Sequence, residues 1–182
     1  TSVCPMQIAL VGLGKMGGNM AQRWMRFGHE VVAYDRDPHA VAAVVEHGAR
    51  GVSSLEELAK ALATPRAIWT MLPAGAPTED TLQKLTTILS RGDVVIDGAN
   101  ANWKDSQRHA AMLQEHGIDF VDCGTSGGVW GLANGYCLMI GGEKPVVERL
   151  SPLFSALAPE HGWEHFGPAG AGHFVKMVHN GI

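Results

Sequence analysis

The sequence predicts an α/β fold: a doubly wound, mostly parallel sheet with helices on both faces. Three observations carry this. Short apolar runs rich in Val and Ile alternate with helix-patterned stretches along most of the 182 residues. The first run leads into a glycine-rich turn, and the second ends on an aspartate. Strands covered on both faces read as near-continuous apolar runs, and alternation with helices is what parallel crossovers require.

Taken in order, "QIALVG" (7–12) is the first strand, followed by a helix over 16–28. "EVVAYD" (30–35) is the second, with a helix over 38–47 that Asp37 is placed to cap. "SSLEEL" offers Ser53 or Ser54 as the N-cap of a helix over 54–63, with an acidic first turn. "RAIWTML" (66–72), "DVVIDG" (93–98) and "IDFVDCG" (118–124) follow as strands, separated by helices over 78–90 and 103–116. A last pair, "YCLMIGG" (136–142) and "GWEHF" (162–166), brackets one helix over 144–157. There is no internal repeat or low-complexity tract. "GPAGAG" (167–172) is the boundary, dividing a domain over 1–167 from a further helix that starts within 168–182. Residues 1–5 precede the first apolar run and read as a short extension.

Composition narrows the function. A hydrophobic content of 46% with 18% charged residues fits a soluble globular chain. A formal net charge of -4 argues against a nucleic-acid surface. No apolar run reaches the ~18 residues of a membrane span, and "TSVCPM" lacks the features of a signal peptide. Cys4, Cys123 and Cys137 are unpatterned, which suits reduced thiols in a cytoplasmic protein. His161 and His165 stand four apart, but no third ligand shares their context; we read them as non-metal.

"VGLGKMGGNM" sets Gly12, Gly14 and Gly17 in the G-x-G-x-x-G spacing, after a strand and opening a helix. These glycines permit a tight turn and close approach to a pyrophosphate at a helix N-terminus, with Leu13, Lys15 and Met16 between them. The fold is therefore Rossmann-type and the expected cofactor is NAD or NADP. Asp35, ending the second strand, is placed to accept hydrogen bonds from the adenosine ribose and to repel a 2′-phosphate. Arg36 could pair with that phosphate, whereas Asp37 adds negative charge, so NAD is preferred. Met71, Leu72 and Pro73 follow the third apolar strand and could form a wall against the nicotinamide.

Polar residues also gather after strands. "DGANAN" places Asn100 after the fourth apolar strand, and "CGTSGG" places Ser126, Gly127 and Gly128 after the fifth. In "GAGHFVKMVHNGI", Lys176, His179 and Asn180 share one face of a helix, with His173 a turn earlier. The plainer alternative for that face is a solvated stripe opposite Phe174, Met177 and Val178.

Together these motifs resemble the N-terminal part of the 6-phosphogluconate dehydrogenases, within the β-hydroxyacid dehydrogenase superfamily. "VGLGKMGGNM" resembles the cofactor turn, "GTSGG" the substrate-binding turn, and "GAGHFVKMVHNGI" the catalytic helix. The resemblance implies oxidative decarboxylation of 6-phosphogluconate to ribulose 5-phosphate. Lys176 would be the general base and acid, a role that needs it neutral at the start. Asn180 and His179 would bind or orient substrate, as would Asn100, Ser126, Gly127 and Gly128, with no metal. Asn100 would also face the cofactor. An acid at position 183 would protonate C1 of the enediol left by decarboxylation, and an all-helical C-terminal domain would complete the pocket and a homo-oligomer. The family's D-G-G-N-S becomes "DGANA", so Ala99 and Ala101 remove a glycine and a hydroxyl. "YDRDP" departs from the N-R-T pattern of NADP users, which again favours NAD. Alternatives are another β-hydroxyacid dehydrogenase, acting on 3-hydroxyisobutyrate or a sulfonated gluconate, and a nucleotide-binding module without turnover.

Overall fold

In a computed structural model the described residues are 4–180. Residues 1–3 of the expected extension and 181–182 of the expected final helix lie outside them. Eight strands form one sheet: β1 (Gln7–Val11), β2 (Glu30–Tyr34), β3 (Arg50–Gly51), β4 (Ala67–Thr70), β5 (Val94–Asp97), β6 (Asp119–Ser126), β7 (Cys137–Gly141) and β8 (Trp163–Gly167). Their order is β3-β2-β1-β4-β5-β6-β7-β8. The first six are parallel, β7 runs antiparallel to β6, and β8 is parallel to β7. The Rossmann-type α/β expectation holds. Chain order reverses between β1 and β4, whose carboxyl ends open the crevice where such sheets bind ligands.

The helices are α1 (Lys15–Arg26), α2 (Pro38–Val45), α3 (Leu55–Lys60), α4 (Ala76–Ile88), α5 (Trp103–Gln114), α6 (Gly131–Asn134), α7 (Lys144–Arg149), α8 (Ser151–Leu157) and α9 (Ala171–Asn180). Alternate strand residues feed two cores. Ile8, Leu10, Trp69 and Ile96 pack with Trp24 of α1 and Phe154 of α8. Ala9, Val11, Ile68 and Val95 pack with Leu58, Leu82 and Leu113 of α3, α4 and α5. The Trp24 and Trp69 rings meet edge to face, 5.2 Å between centroids. Each large side chain so buried contributes about 1.5–3 kcal/mol.

Three details differ from the sequence expectation, and one open alternative closes. β3 was not foreseen, because two exposed residues carry no apolar run. The helix expected over 144–157 is two, α7 and α8, meeting at Leu150 just before Pro152, which has no N–H to continue the first. The segment 128–134, to which the sequence assigned no element, holds a 3₁₀ turn (Gly128–Trp130) and α6. That segment is too short for a parallel crossover, so β7 returns antiparallel. The cap of α3 resolves to Ser54, whose side chain accepts the Glu57 N–H while Glu57 reaches back to Ser53.

Candidate active site

The turn between β1 and α1 shows why glycines occupy three positions. Gly12 has φ +99°, and a Cβ there would run into the Met71 carbonyl. A Cβ on Gly17 would strike the Gly12 carbonyl. Gly14 differs: its backbone is extended, and a Cβ would meet nothing within 4 Å. Gly14 is also the N-cap of α1 and supplies no side-chain cap, so the first-turn N–H groups of a 12-residue helix stay available to an anion. A dinucleotide pyrophosphate fits this cradle. Lys15 is exposed beside it, Met16 half-buried, and Leu13 buried beneath.

Asp35 ties the turn to the end of β2. One carboxylate oxygen accepts the Leu13 N–H at 2.7 Å and the other the Asp37 N–H at 2.8 Å. Each oxygen keeps a lone pair for a ribose hydroxyl. Asp37 in turn caps α2 by accepting the His39 N–H at 3.0 Å. Arg36 is exposed, and with Asp35 it edges a cavity of about 520 Å³ between α2 and β3. The β4 carboxyl end continues as Met71, Leu72 and Pro73; the Met71 N–H donates to the Val11 carbonyl at 2.8 Å, and Thr78 Oγ1 closes the loop onto the Pro73 carbonyl.

A second cleft, about 400 Å³, brings distant residues together. Asn100, Ala101 and Asn102 after β5, Ala74 after β4, and His173, Lys176, Met177 and Asn180 of α9 line it. Lys176 is half-buried and Asn180 exposed. His179 lies exposed on the same helix, outside the lining of this cleft. Ser126 ends β6; Gly127 (φ +149°) follows against the Tyr136 ring, and Gly128 (φ +51°) stands in open space. They too lie outside that lining.

Helix α9 is laid directly on strand backbone. A Cβ on Gly124 would come within 2.7 Å of the Lys176 Cβ, and one on Gly141 within 2.8 Å of the Gly172 nitrogen. At its start, the buried Asp122 carboxylate accepts the Gly170 N–H at 2.7 Å and the His173 N–H at 2.8 Å. It supplies from β6 the cap that Gly170 cannot. The His173 ring, expected on the polar face, is instead buried and shares a 2.6 Å hydrogen bond between Nδ1 and Ser106 Oγ of α5. Burial lowers its pKa, opposed by the Asp122 charge.

Asp97 neighbours Asp122 in the β5–β6 register. One Asp97 oxygen accepts the Ala99 N–H at 3.1 Å, and the other has no partner among the described residues. Burial pushes the acid up to about 7, the Ala99 hydrogen bond opposing and the Asp122 charge adding. Asp97, Asp122, Gly124 and Ser106 were missed from sequence. Aspartates inside "DVVID" and "IDFVDCG" were the available signal, since a carboxylate in a buried strand needs a partner. His165, the second of the spaced histidines, uses Nε2 at 2.6 and 2.8 Å from the Gly142 and Gly167 carbonyls, which pins β7 to β8.

The family model described as the NAD binding domain of 6-phosphogluconate dehydrogenase matches residues 7–167. The chain belongs to that family. The chain is 42% identical over 178 residues to the NAD(+)-dependent, decarboxylating 6-phosphogluconate dehydrogenase of Haloferax volcanii, covering 97% of this chain and 58% of that protein. It is 27% identical to the Plasmodium falciparum 6-phosphogluconate dehydrogenase, a structure described with its cofactor NADP+ and with its substrate 6-phosphogluconate. The TM-score there is 0.90, over 96% of this chain and 40% of that one. The 3-hydroxyisobutyrate dehydrogenase of Mycobacterium tuberculosis, described with L-serine, gives a TM-score of 0.88 at 28% identity, over 96% and 58% of the two chains. These relatives are NAD(P)-dependent dehydrogenases or their structural kin, and the chain spans little more than half the length of the Haloferax protein. Among the described residues, no helix is long and apolar enough to cross a membrane.

Proposed function

We propose that this NAD-binding domain serves an enzyme that oxidises 6-phosphogluconate with NAD and releases carbon dioxide and ribulose 5-phosphate. The observation that carries the reading is the cleft where Lys176, Asn180 and Asn100 converge, beyond the carboxyl ends of β4 and β5. Similarity to the decarboxylating Haloferax enzyme, 42% identical over an alignment that covers 97% of the chain, supports it.

Gly12, Leu13, Gly14, Lys15, Met16 and Gly17 hold the pyrophosphate, and Asp35 with Arg36 holds the adenosine ribose. Met71, Leu72 and Pro73 back the nicotinamide. When bound, that ring supplies the hydride acceptor. Lys176 Nζ takes the proton of the C3 hydroxyl as the C3 hydride leaves. The resulting ammonium donates a hydrogen bond to the new C3 keto oxygen, which draws electrons from the C1–C2 bond as carbon dioxide departs. An acid then protonates the carbon that lost carbon dioxide, the former C2, which becomes C1 of ribulose 5-phosphate. Asn100, Ser126, Gly127, Gly128, His179 and Asn180 orient the sugar acid. The holoenzyme is a cytoplasmic homo-oligomer.

The test compares 6-phosphogluconate with 3-hydroxyisobutyrate, each with NAD and NADP, in the full-length protein. We expect NADH formation with 6-phosphogluconate, and Lys176→Ala to lower kcat about a thousandfold, within the range of a lost general base. Calorimetry should show NAD affinity unchanged in that variant. Faster turnover of 3-hydroxyisobutyrate, or near-parent activity of Lys176→Ala, would remove the reading.

A further inference from the structure

The cleft holds one amide that the proposed chemistry leaves unused. Asn102 is the N-cap of α5, and its Oδ1 accepts the Lys104 N–H at 2.9 Å. The cap settles which way round the amide sits, because only the oxygen can accept. Both Nδ2 hydrogens are left without a partner among the described residues. Asn102 lines the cleft together with Asn100 and Ala101 of its own loop and with Lys176 and Asn180 of α9. Three side-chain amides and one amine thus face a cleft of about 400 Å³, with the small Ala74 and Ala101 leaving room between them.

That array suits a ligand dense in hydroxyl and carboxylate oxygens. Amides donate and accept, which matches hydroxyl groups; a row of donors matches the oxygen lone pairs of a sugar acid. We propose that Asn102 is a substrate-binding residue that donates from Nδ2 to an oxygen of the bound polyhydroxy acid. Ala101 brings no hydroxyl to this cleft, and the next side chain brings a donor instead. The cap makes the donor rigid, so little side-chain freedom is lost on binding. The inference rests on the proposed sugar-acid reading of the cleft.

Asn and Asp cap helices about equally well, and Ser nearly so. Asn102→Asp therefore keeps the cap while replacing two donors by an anionic acceptor facing an anionic substrate. Asn102→Ser keeps the cap and only shortens the donor. In the full-length protein, with 6-phosphogluconate as the probe, we expect Asn102→Asp to raise KM at least thirtyfold and Asn102→Ser about fivefold. NAD affinity and thermal midpoint should stay at parent values in both. Activity in the parent with an unchanged KM in Asn102→Asp would overturn the inference and leave the proposed function standing. Neither turnover nor calorimetric binding of 6-phosphogluconate by the parent would overturn both. A fall in thermal midpoint that accounts for the lost activity would return Asn102 to a purely capping role.

Discussion

Asp122 and His173 meet twice. The carboxylate accepts the His173 backbone N–H at 2.8 Å and lies 3.9 Å from Nδ1 of its ring, with both side chains buried. One residue of β6 thereby sets the start of the helix that carries Lys176 and also tunes the histidine behind the cleft. Hydrogen bonds to a charged acceptor are worth about 1.5–3 kcal/mol each, and buried N–H groups left unpaired are costly. Asp122→Ala should therefore destabilise the domain by about 3–5 kcal/mol in urea unfolding. Asp122→Asn, which keeps an acceptor but not the charge, should cost about half as much. Burial already depresses the His173 pKa and the Asp122 charge resists it, so Asp122→Asn should depress it further in an NMR titration. An unchanged ring titration would show that the two do not couple through charge.

The β5 carboxyl gives the domain a pH signature. Asp97 sits near 7 when folded, against 3.8 for the ordinary group. Between those values the folded state holds a proton that the unfolded state has released, so stability falls as pH rises from about 4 to about 7 and then levels. A shift of this size corresponds to roughly 4 kcal/mol at the plateau. His173 works in the opposite sense: its folded pKa is lowered, so its contribution is present above 6.5 and lost as pH falls below it. Comparing the parent with Asp97→Asn isolates the first effect. The variant should match the parent near pH 4 and be the more stable protein at pH 8. Parallel stability curves from pH 4 to 8 would show that Asp97 titrates normally.

The glycine turn separates folding from binding. Ala at Gly14 meets nothing in the protein and suits the extended backbone there. It would project into the space assigned to the pyrophosphate. Ala at Gly17 meets the Gly12 carbonyl inside the turn itself. We expect Gly14→Ala to leave the thermal midpoint within a degree or two while weakening NAD at least tenfold, about 1.4 kcal/mol. Gly17→Ala should lower the midpoint as well as the affinity. Thermal shift with and without NAD reads both quantities, and equal NAD binding by Gly14→Ala and the parent would dissociate Gly14 from the pyrophosphate.

Local chemistry explains what was legible in the sequence. The strand runs, the G-x-G-x-x-G turn and the spacing of Lys176 and Asn180 are all set within a few residues, so period and turn residues report them. Asp35 was readable because strand β2 has to end where it does. The cap of α9 was not, because Asp122 and Gly170 lie 48 residues apart and no local rule pairs them. The same holds for Ser106 and His173, 67 residues apart. Helical spacing put His173 beside Lys176, yet only the packing of α9 onto α5 decides that its ring turns inward. β3 escaped notice because its two residues are held by neighbours in the sheet and not by any pattern of their own.

Cofactor choice follows from the end of β2. The Asp35 carboxylate is fixed by the Leu13 and Asp37 N–H groups, so it cannot swing away from an incoming 2′-phosphate. Asp37 is fixed too, since it caps α2. Two held anions would face three phosphate oxygens, against the exposed cation of Arg36. Like charges brought close disfavour the complex, and the penalty is larger where water is partly excluded. We therefore expect the domain to bind NAD more tightly than NADP, by tenfold or more at low salt. Asp35→Ala should narrow that ratio chiefly by weakening NAD, because the ribose loses its acceptor and the turn loses its tie to β2. Asp37→Ser keeps the α2 cap and removes a charge, so it should narrow the ratio by strengthening NADP alone. Calorimetric titration of both dinucleotides into the parent and the two variants tests this. Tighter NADP than NAD in the parent would mean that the Arg36 guanidinium pairs with the 2′-phosphate and outweighs both carboxylates.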